Sequence, residues 1–187
     1  MRMIRNEASK KQSTSSVLVN ENVNEISLIS EITAESAALL TTHVQTFIKE
    51  KEKHLTVKIF SGGGDLDYSL YLYDELKNLG KKIEITTRAC GSVGSGAVLL
   101  LLAGEIRTIN RSGFIMLHHP QVDVYGTYQV HSSYMEAVTQ NVARMWNIIS
   151  KHTRLSKGHL DSKINEKGEL WLPAKTALKV GLVTKIV

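Results

Sequence analysis

One cysteine, Cys90, is all the chain has, which excludes an internal disulfide and any zinc site built on several thiolates. Aromatic residues make up only 6% of the 187 residues, and the lysines and arginines are scattered rather than clustered. The net charge of +5 therefore lacks the basic, aromatic-interleaved footprint of a nucleic-acid-binding surface, and no nucleic-acid partner is expected. Long apolar runs are missing too. The longest, Ala97 to Ala103, is far shorter than the roughly 18 residues a membrane span requires. Charges occupy the N-terminus where a secretory leader needs an apolar stretch. These absences predict a soluble, cytoplasmic protein with no membrane partner, stabilised by burial and in part by subunit interfaces.

What is present fits one compact domain, since 42% of the chain is hydrophobic and single domains run about 100–200 residues. No internal repeat interrupts it. Residues 1–22 hold Arg2, Arg5, Lys10, Lys11 and a Gln-Ser-Thr-Ser-Ser run without hydrophobic periodicity, and are expected to form a mobile tail. The domain is expected over residues 23–187. There, strand-like and helix-like periods alternate. Ile26–Ile29, Leu55–Phe60, Ile83–Thr87, Ile106–Ile109 and Phe114–Leu117 are predicted strands, and Leu182–Val187 closes the chain as another. Helices are predicted over 33–48, 66–79, 95–103, 157–164 and 174–179, with a long one from His131 to Lys151 marked by Tyr134, Val138, Val142, Met145 and Ile149. Such alternation predicts an α/β fold, a sheet flanked by helices.

Three segments carry chemistry. Ser61-Gly62-Gly63-Gly64 joins a strand to a helix, and its glycines permit a turn whose N–H groups can face an anion or oxyanion. It could equally be a tight turn and nothing more. Gly91-Ser92-Val93-Gly94-Ser95-Gly96-Ala97 again links strand to helix, and places Ser95 between glycines as a nucleophile elbow does. The alternative is a plain helix N-cap. Nucleotide binding fits poorly, because the glycine order is G-x-x-G-x-G and the Walker lysine is missing. Leu117-His118-His119-Pro120 ends a strand, so one of its histidines can point into a cleft as the base a serine hydroxyl needs near neutrality. Neighbouring strand residues project to opposite sides, and only one of the two can serve. No His, Asp or Glu stands at a metal-ligand spacing such as H-E-x-x-H, and no cofactor is expected.

The glycine turn, the glycine-flanked serine and the Met116-Leu117-His118-His119-Pro120 segment, in this order, resemble the ClpP serine peptidase family from about Asn24 to the C-terminus. Gly91 to Gly104 resembles that family's serine-bearing helix, and Ala174 to Val183 its closing segment. The resemblance implies a ClpP/crotonase-like fold with stacked β-sheets, flanking helices and a projecting handle helix. It also implies Ser95 as nucleophile, His118 as base and the N–H groups of Gly63 and Gly96 as oxyanion hole. Glu169 stands where the family places its triad aspartate, with Asp161 and Asn165 as fallbacks. Homo-oligomeric heptameric rings stacked as a tetradecamer follow from the same resemblance. The long helix would lie at the ring-to-ring contact, and Val122-Asp123-Val124-Tyr125 would pair there with Tyr128-Gln129-Val130 as strands.

Departures from the family pattern are specific. Gly62 replaces the usual proline, and the N-terminal sequence that forms axial loops and docks an AAA+ unfoldase is not recognisable. These are features of a divergent member, such as a virus-encoded or accessory paralogue. The expected activity is hydrolysis of peptide bonds in unfolded polypeptides through an acyl-enzyme. The competing readings are a non-catalytic ring subunit, favoured by Glu169, and acyl-CoA chemistry on the related crotonase fold, disfavoured by the Ser/His pair.

Overall fold

A computed structural model describes residues 16–50, 52–122 and 125–187. Its elements run β1 Val17–Asn20, a 3-10 turn at Glu21–Val23, β2 Glu25–Leu28, α1 Ala34–Lys49, β3 His54–Ser61, α2 Leu66–Leu79, β4 Glu84–Gly94 and α3 Ala97–Ala103. They continue with β5 Ile106–Ile109, β6 Phe114–His118, α4 Tyr128–His152, α5 Lys157–Lys167, β7 Glu169–Pro173, α6 Ala174–Val180 and β8 Lys185–Ile186.

Alternation in β3 sends Leu55, Val57 and Ile59 into the core and leaves Thr56 and Lys58 on the outer face, as a period of two requires. Parallel β2, β3, β4, β5 and β8 form the main path, with β1 antiparallel at the β2 edge. Helix starts are chemically marked. Thr33 and Ser36 exchange side-chain-to-backbone bonds at the head of α1, and Asp65 accepts from the Asp67 and Tyr68 N–H groups at the head of α2. Both satisfy N–H groups that a first helical turn leaves orphaned.

One irregularity shapes the molecule. Along β3 and β4 the register runs Ile59↔Ala89 and then Ser61↔Val93, so β4 bulges between these pairs. Gly91 sits in the bulge at φ +70°, and a Cβ there would press on the Phe60 ring at 3.1 Å. Before the bulge β4 pairs with β5; beyond it, Ser92–Gly94 pair with Phe114–Met116 of β6. The sheet therefore forks at β4, and β6 carries β7 antiparallel on its far side. Stacking of layers takes the form of this fork in one continuous ladder. Helix α3 is buried at all seven positions and forms the centre of the core against the sheet.

Two sequence expectations are corrected. Tyr128–Val130 is no strand: it is the first turn of α4, with Thr127 Oγ1 accepting from the Val130 N–H at 3.4 Å. The cap decides the conformation there. Its intended partner segment is left as coil at Val122 and Tyr125, and positions 123 and 124 lie outside the described residues. Within the stretch expected to be a tail, Val17–Asn20 is a strand paired with Glu25–Leu28, and residues 1–15 of that expectation lie outside the described residues. Two further differences concern the C-terminal third. Glu169–Pro173 is a strand, and β8 is confined to Lys185–Ile186. Among the described residues no helix is long and apolar enough to cross a membrane.

Candidate active site

Ser95 lies at φ +51° in the turn from β4 to α3, a left-handed conformation that costs a residue with a Cβ of order 1–3 kcal/mol. The turn holds because its surroundings overdetermine it. The Ser95 N–H donates to the Met116 carbonyl at 2.9 Å, and Ser95 accepts from Val98 N–H at 3.0 Å. Helix α3 takes Gly96, not Ser95, as its N-cap, with no side-chain capping bond. The Ser95 hydroxyl is thus released from capping and stands 2.8 Å from His118 Nε2.

His118 ends β6 and is half-buried. Because β6 hydrogen-bonds directly to β4 past the bulge, the sheet ladder itself brings the two side chains together. His119 points the other way, contacts Asn165 Oδ1 at 3.2 Å and meets the Trp146 ring edge-on at a centroid distance of 6.1 Å.

The antiparallel register of β6 and β7 places Glu169 directly opposite His118, on the same face of the ladder. Glu169 is exposed, and its Oε2 accepts from Trp171 Nε1 at 2.8 Å. No bond joins it to His118. Asp161 and Asn165 lie on α5; neither lines the cavity beside Ser95, and Asn165 is engaged by His119.

The glycine turn packs against the serine turn at close range. A Cβ on Gly63 would stand 2.6 Å from Ser95 Cβ and 2.9 Å from the Gly94 carbonyl, and Gly63 has φ +109°. Only glycine fits there. Yet Gly63 is buried and its N–H donates to Ser61 Oγ at 3.2 Å, so that N–H is turned into the protein. Gly64 lines the cavity instead, as does Gly96. Neither N–H has a partner among the described backbone bonds. Sequence reasoning missed Gly64, since only the Ser61 hydroxyl decides which glycine N–H is spent internally. A Cβ on Gly96 would collide with Ser69 Oγ on α2, so the heads of α2 and α3 are in direct contact beside Ser95.

The cavity itself measures about 530 Å³. Met116, Val138 and Met145 supply apolar lining, and Glu31, Asp65, Asp67 and Glu169 supply carboxylates. Asp67 Oδ1 accepts from Asn141 Nδ2, which ties α2 to α4 across the opening. The chemistry available is that of a positioned hydroxyl, an adjacent imidazole and two free N–H groups. Among the described residues no group of three His, Cys, Asp or Glu could hold a metal ion.

Comparison with known proteins identifies the family and the fold. A family model described as Clp protease matches residues 6–187. A solved structure of a mutant ClpP1 from Listeria monocytogenes superposes with a TM-score of 0.73 at 19% identity, covering 89% of this chain and 92% of that one. That identity speaks for the fold alone. No curated protein sequence matches.

Proposed function

Since the chain belongs to the Clp protease family, we propose that it is a serine endopeptidase that hydrolyses unfolded polypeptides through an acyl-enzyme at Ser95. The observation that carries this reading is the 2.8 Å approach of His118 Nε2 to the hydroxyl of a serine held at positive φ. A left-handed serine freed from its helix is the strained strand-to-helix turn of a nucleophile elbow.

In the proposed cycle, Ser95 Oγ attacks the peptide carbonyl carbon while its proton passes to His118 Nε2. The resulting oxyanion takes hydrogen bonds from the Gly96 and Gly64 N–H groups, Gly64 standing in for the inward-turned Gly63. Collapse breaks the C–N bond, and His118 returns its proton to the leaving amine. Water then attacks the ester, His118 takes one of its protons and gives it to Ser95 Oγ, and the carboxylic product leaves. Glu169 is the proposed third member, reaching His118 Nδ1 across the ladder once it releases Trp171. No cofactor enters the cycle.

An open site of this kind would cleave indiscriminately, and the reading includes confinement in cytoplasmic, stacked homo-oligomeric rings. The exposed first half of α4, with Tyr128 82% and Met135 44% accessible, is the proposed ring-to-ring surface. A second reading, a non-catalytic ring subunit, is favoured by one observation: Glu169 is bonded to Trp171 rather than to His118.

Labelling with a small fluorophosphonate, followed by mass spectrometry of the adduct, separates the two. Stoichiometric modification of Ser95, lost in Ser95→Ala, is the expected result. A folded, assembled protein that takes up no probe would leave the structural subunit as the better reading.

A further inference from the structure

The cavity beside Ser95 is charged against the trend of the whole chain. The chain has 23 lysines and arginines against 18 aspartates and glutamates. Even so, Glu31, Asp65, Asp67 and Glu169 line the cavity, and no lysine or arginine does. None of these carboxylates takes part in an ion pair among the described residues; those pairs join His54 to Glu84, Lys58 to Glu25, Arg144 to Asp74 and Lys163 to Glu166. Their hydrogen-bond partners are neutral. Asp65 Oδ1 accepts two backbone N–H groups at 2.8 and 3.1 Å, Asp67 accepts from the Asn141 amide, and Glu169 accepts from the Trp171 indole. Among the described residues, the negative charge has no lysine or arginine paired to it.

Two of these residues belong to the first turn of α2, which the Gly96–Ser69 contact holds against the serine turn. The apolar walls, Met116, Val138 and Met145, suit an aliphatic stem, and the carboxylates suit a cationic head. A lysine or arginine side chain has this division along its length. The cavity and the Ser95–His118 pair define the site, and the carboxylates stand at its lining.

We propose that this cavity receives a lysine or arginine side chain of the polypeptide at the position next to the bond cleaved, with Asp65 and Asp67 as specificity-determining residues. The proposal rests on the peptidase reading above and names its substrate class. Two exposed carboxylates at the rim of one cleft favour a cation over a neutral side chain by about 10-fold through their summed attraction.

The test uses the full-length protein and peptidyl diphenyl phosphonates that differ only in the side chain beside phosphorus: lysine, arginine, leucine or glutamate. Each is timed by mass spectrometry of the Ser95 adduct. The lysine and arginine probes should label Ser95 about 10-fold faster than the leucine probe, with glutamate slowest. The cation-to-leucine ratio should shrink as salt is raised from 0.05 to about 1 M, because screening shortens the reach of the carboxylates. In the double variant Asp65→Asn, Asp67→Asn the ratio should fall to within about 2-fold, since asparagine caps a helix as well as aspartate does and still accepts from Asn141. Leucine labelling that matches or exceeds lysine labelling in the unmodified protein overturns the proposal while leaving the peptidase reading intact. So does a salt-independent ratio, which needs no variant. Failure of every probe, the small fluorophosphonate included, to modify Ser95 in folded protein overturns both.

Discussion

Trp171 and Glu169 stand two residues apart on β7, on the face that looks toward His118, and the indole holds the Glu169 carboxylate by its Oε2 rather than leaving that oxygen to His118. Replacing the indole with a ring that has no donor frees that oxygen at little structural expense, since Trp171 is 48% exposed. Trp171→Phe is expected to raise the rate of fluorophosphonate labelling at Ser95 by roughly 3- to 10-fold, a part of the 10²–10⁴ that positioned acid–base catalysis contributes. An unchanged rate would mean that Glu169 does not orient His118. Much of the site was legible at this scale. Flanking glycines marked Ser95, a strand end marked the pair His118 and His119, and the family resemblance singled out His118. Which glycine N–H faces the cavity was not legible, because Gly63 and Gly64 look alike until the Ser61 hydroxyl claims one of them. The carboxylates of α2 escaped notice for a different reason: a D-x-D after a glycine turn reads first as helix capping, and only the fold turns it toward a cavity.

Between elements, the division of α4 into two halves matters most. Its C-terminal half buries Met145, Trp146 and Ile149, while Tyr128, Val130, Tyr134 and Met135 remain exposed. The proposed ring contact lies on that exposed half. Tyr128→Glu combined with Met135→Glu is expected to halve the assembled mass in light scattering, with helical circular dichroism retained. Full-size particles from this variant would place the contact elsewhere. The sequence revealed the helix through its period of apolar residues but not its first turn, where Thr127 recruits Tyr128–Val130 against a β-favouring composition. Likewise β7 was invisible as a strand. Five residues with a terminal proline carry too short a pattern to read, and β6 supplies the register that makes them one.

Taken whole, the chain also holds a group set against its own charge. His152, at the end of α4, contacts Tyr73 Oη at 2.9 Å. Burial, and then Arg107, Lys77 and Lys151, hold its imidazole below the ordinary histidine range. Because the folded value is depressed, the unfolded chain takes up the proton first as pH falls below about 6.5. The contribution of neutral His152 is therefore complete above that value and is lost as pH falls through the folded one. The melting temperature should drop between pH 7.5 and 5.5, and His152→Gln should drop less over the same interval. Parallel slopes for the two proteins would show that His152 is not the source. At this scale the α/β class and the order of the helices were readable, since each follows from local period and turn chemistry, whereas the choice of His118 over His119 as the partner of Ser95 came from the family resemblance. The fork at β4 was not. A bulge leaves no composition signal beyond one glycine, and only the partner strands reveal that β4 changes allegiance midway.

That fork separates two inheritances. Ser95 and His118 are borne by strands bonded to each other, so their spacing is conserved as long as the ladder is. Much of the cavity wall comes from α2 and α4, helices whose side chains can drift without touching a ladder bond, beside Met116 and Glu169 from the ladder itself. On the proposed reading, a lineage built on this frame can exchange its diet while keeping its scissors, and relatives of this protein should differ first in what lines the cleft and last at Ser95 and His118.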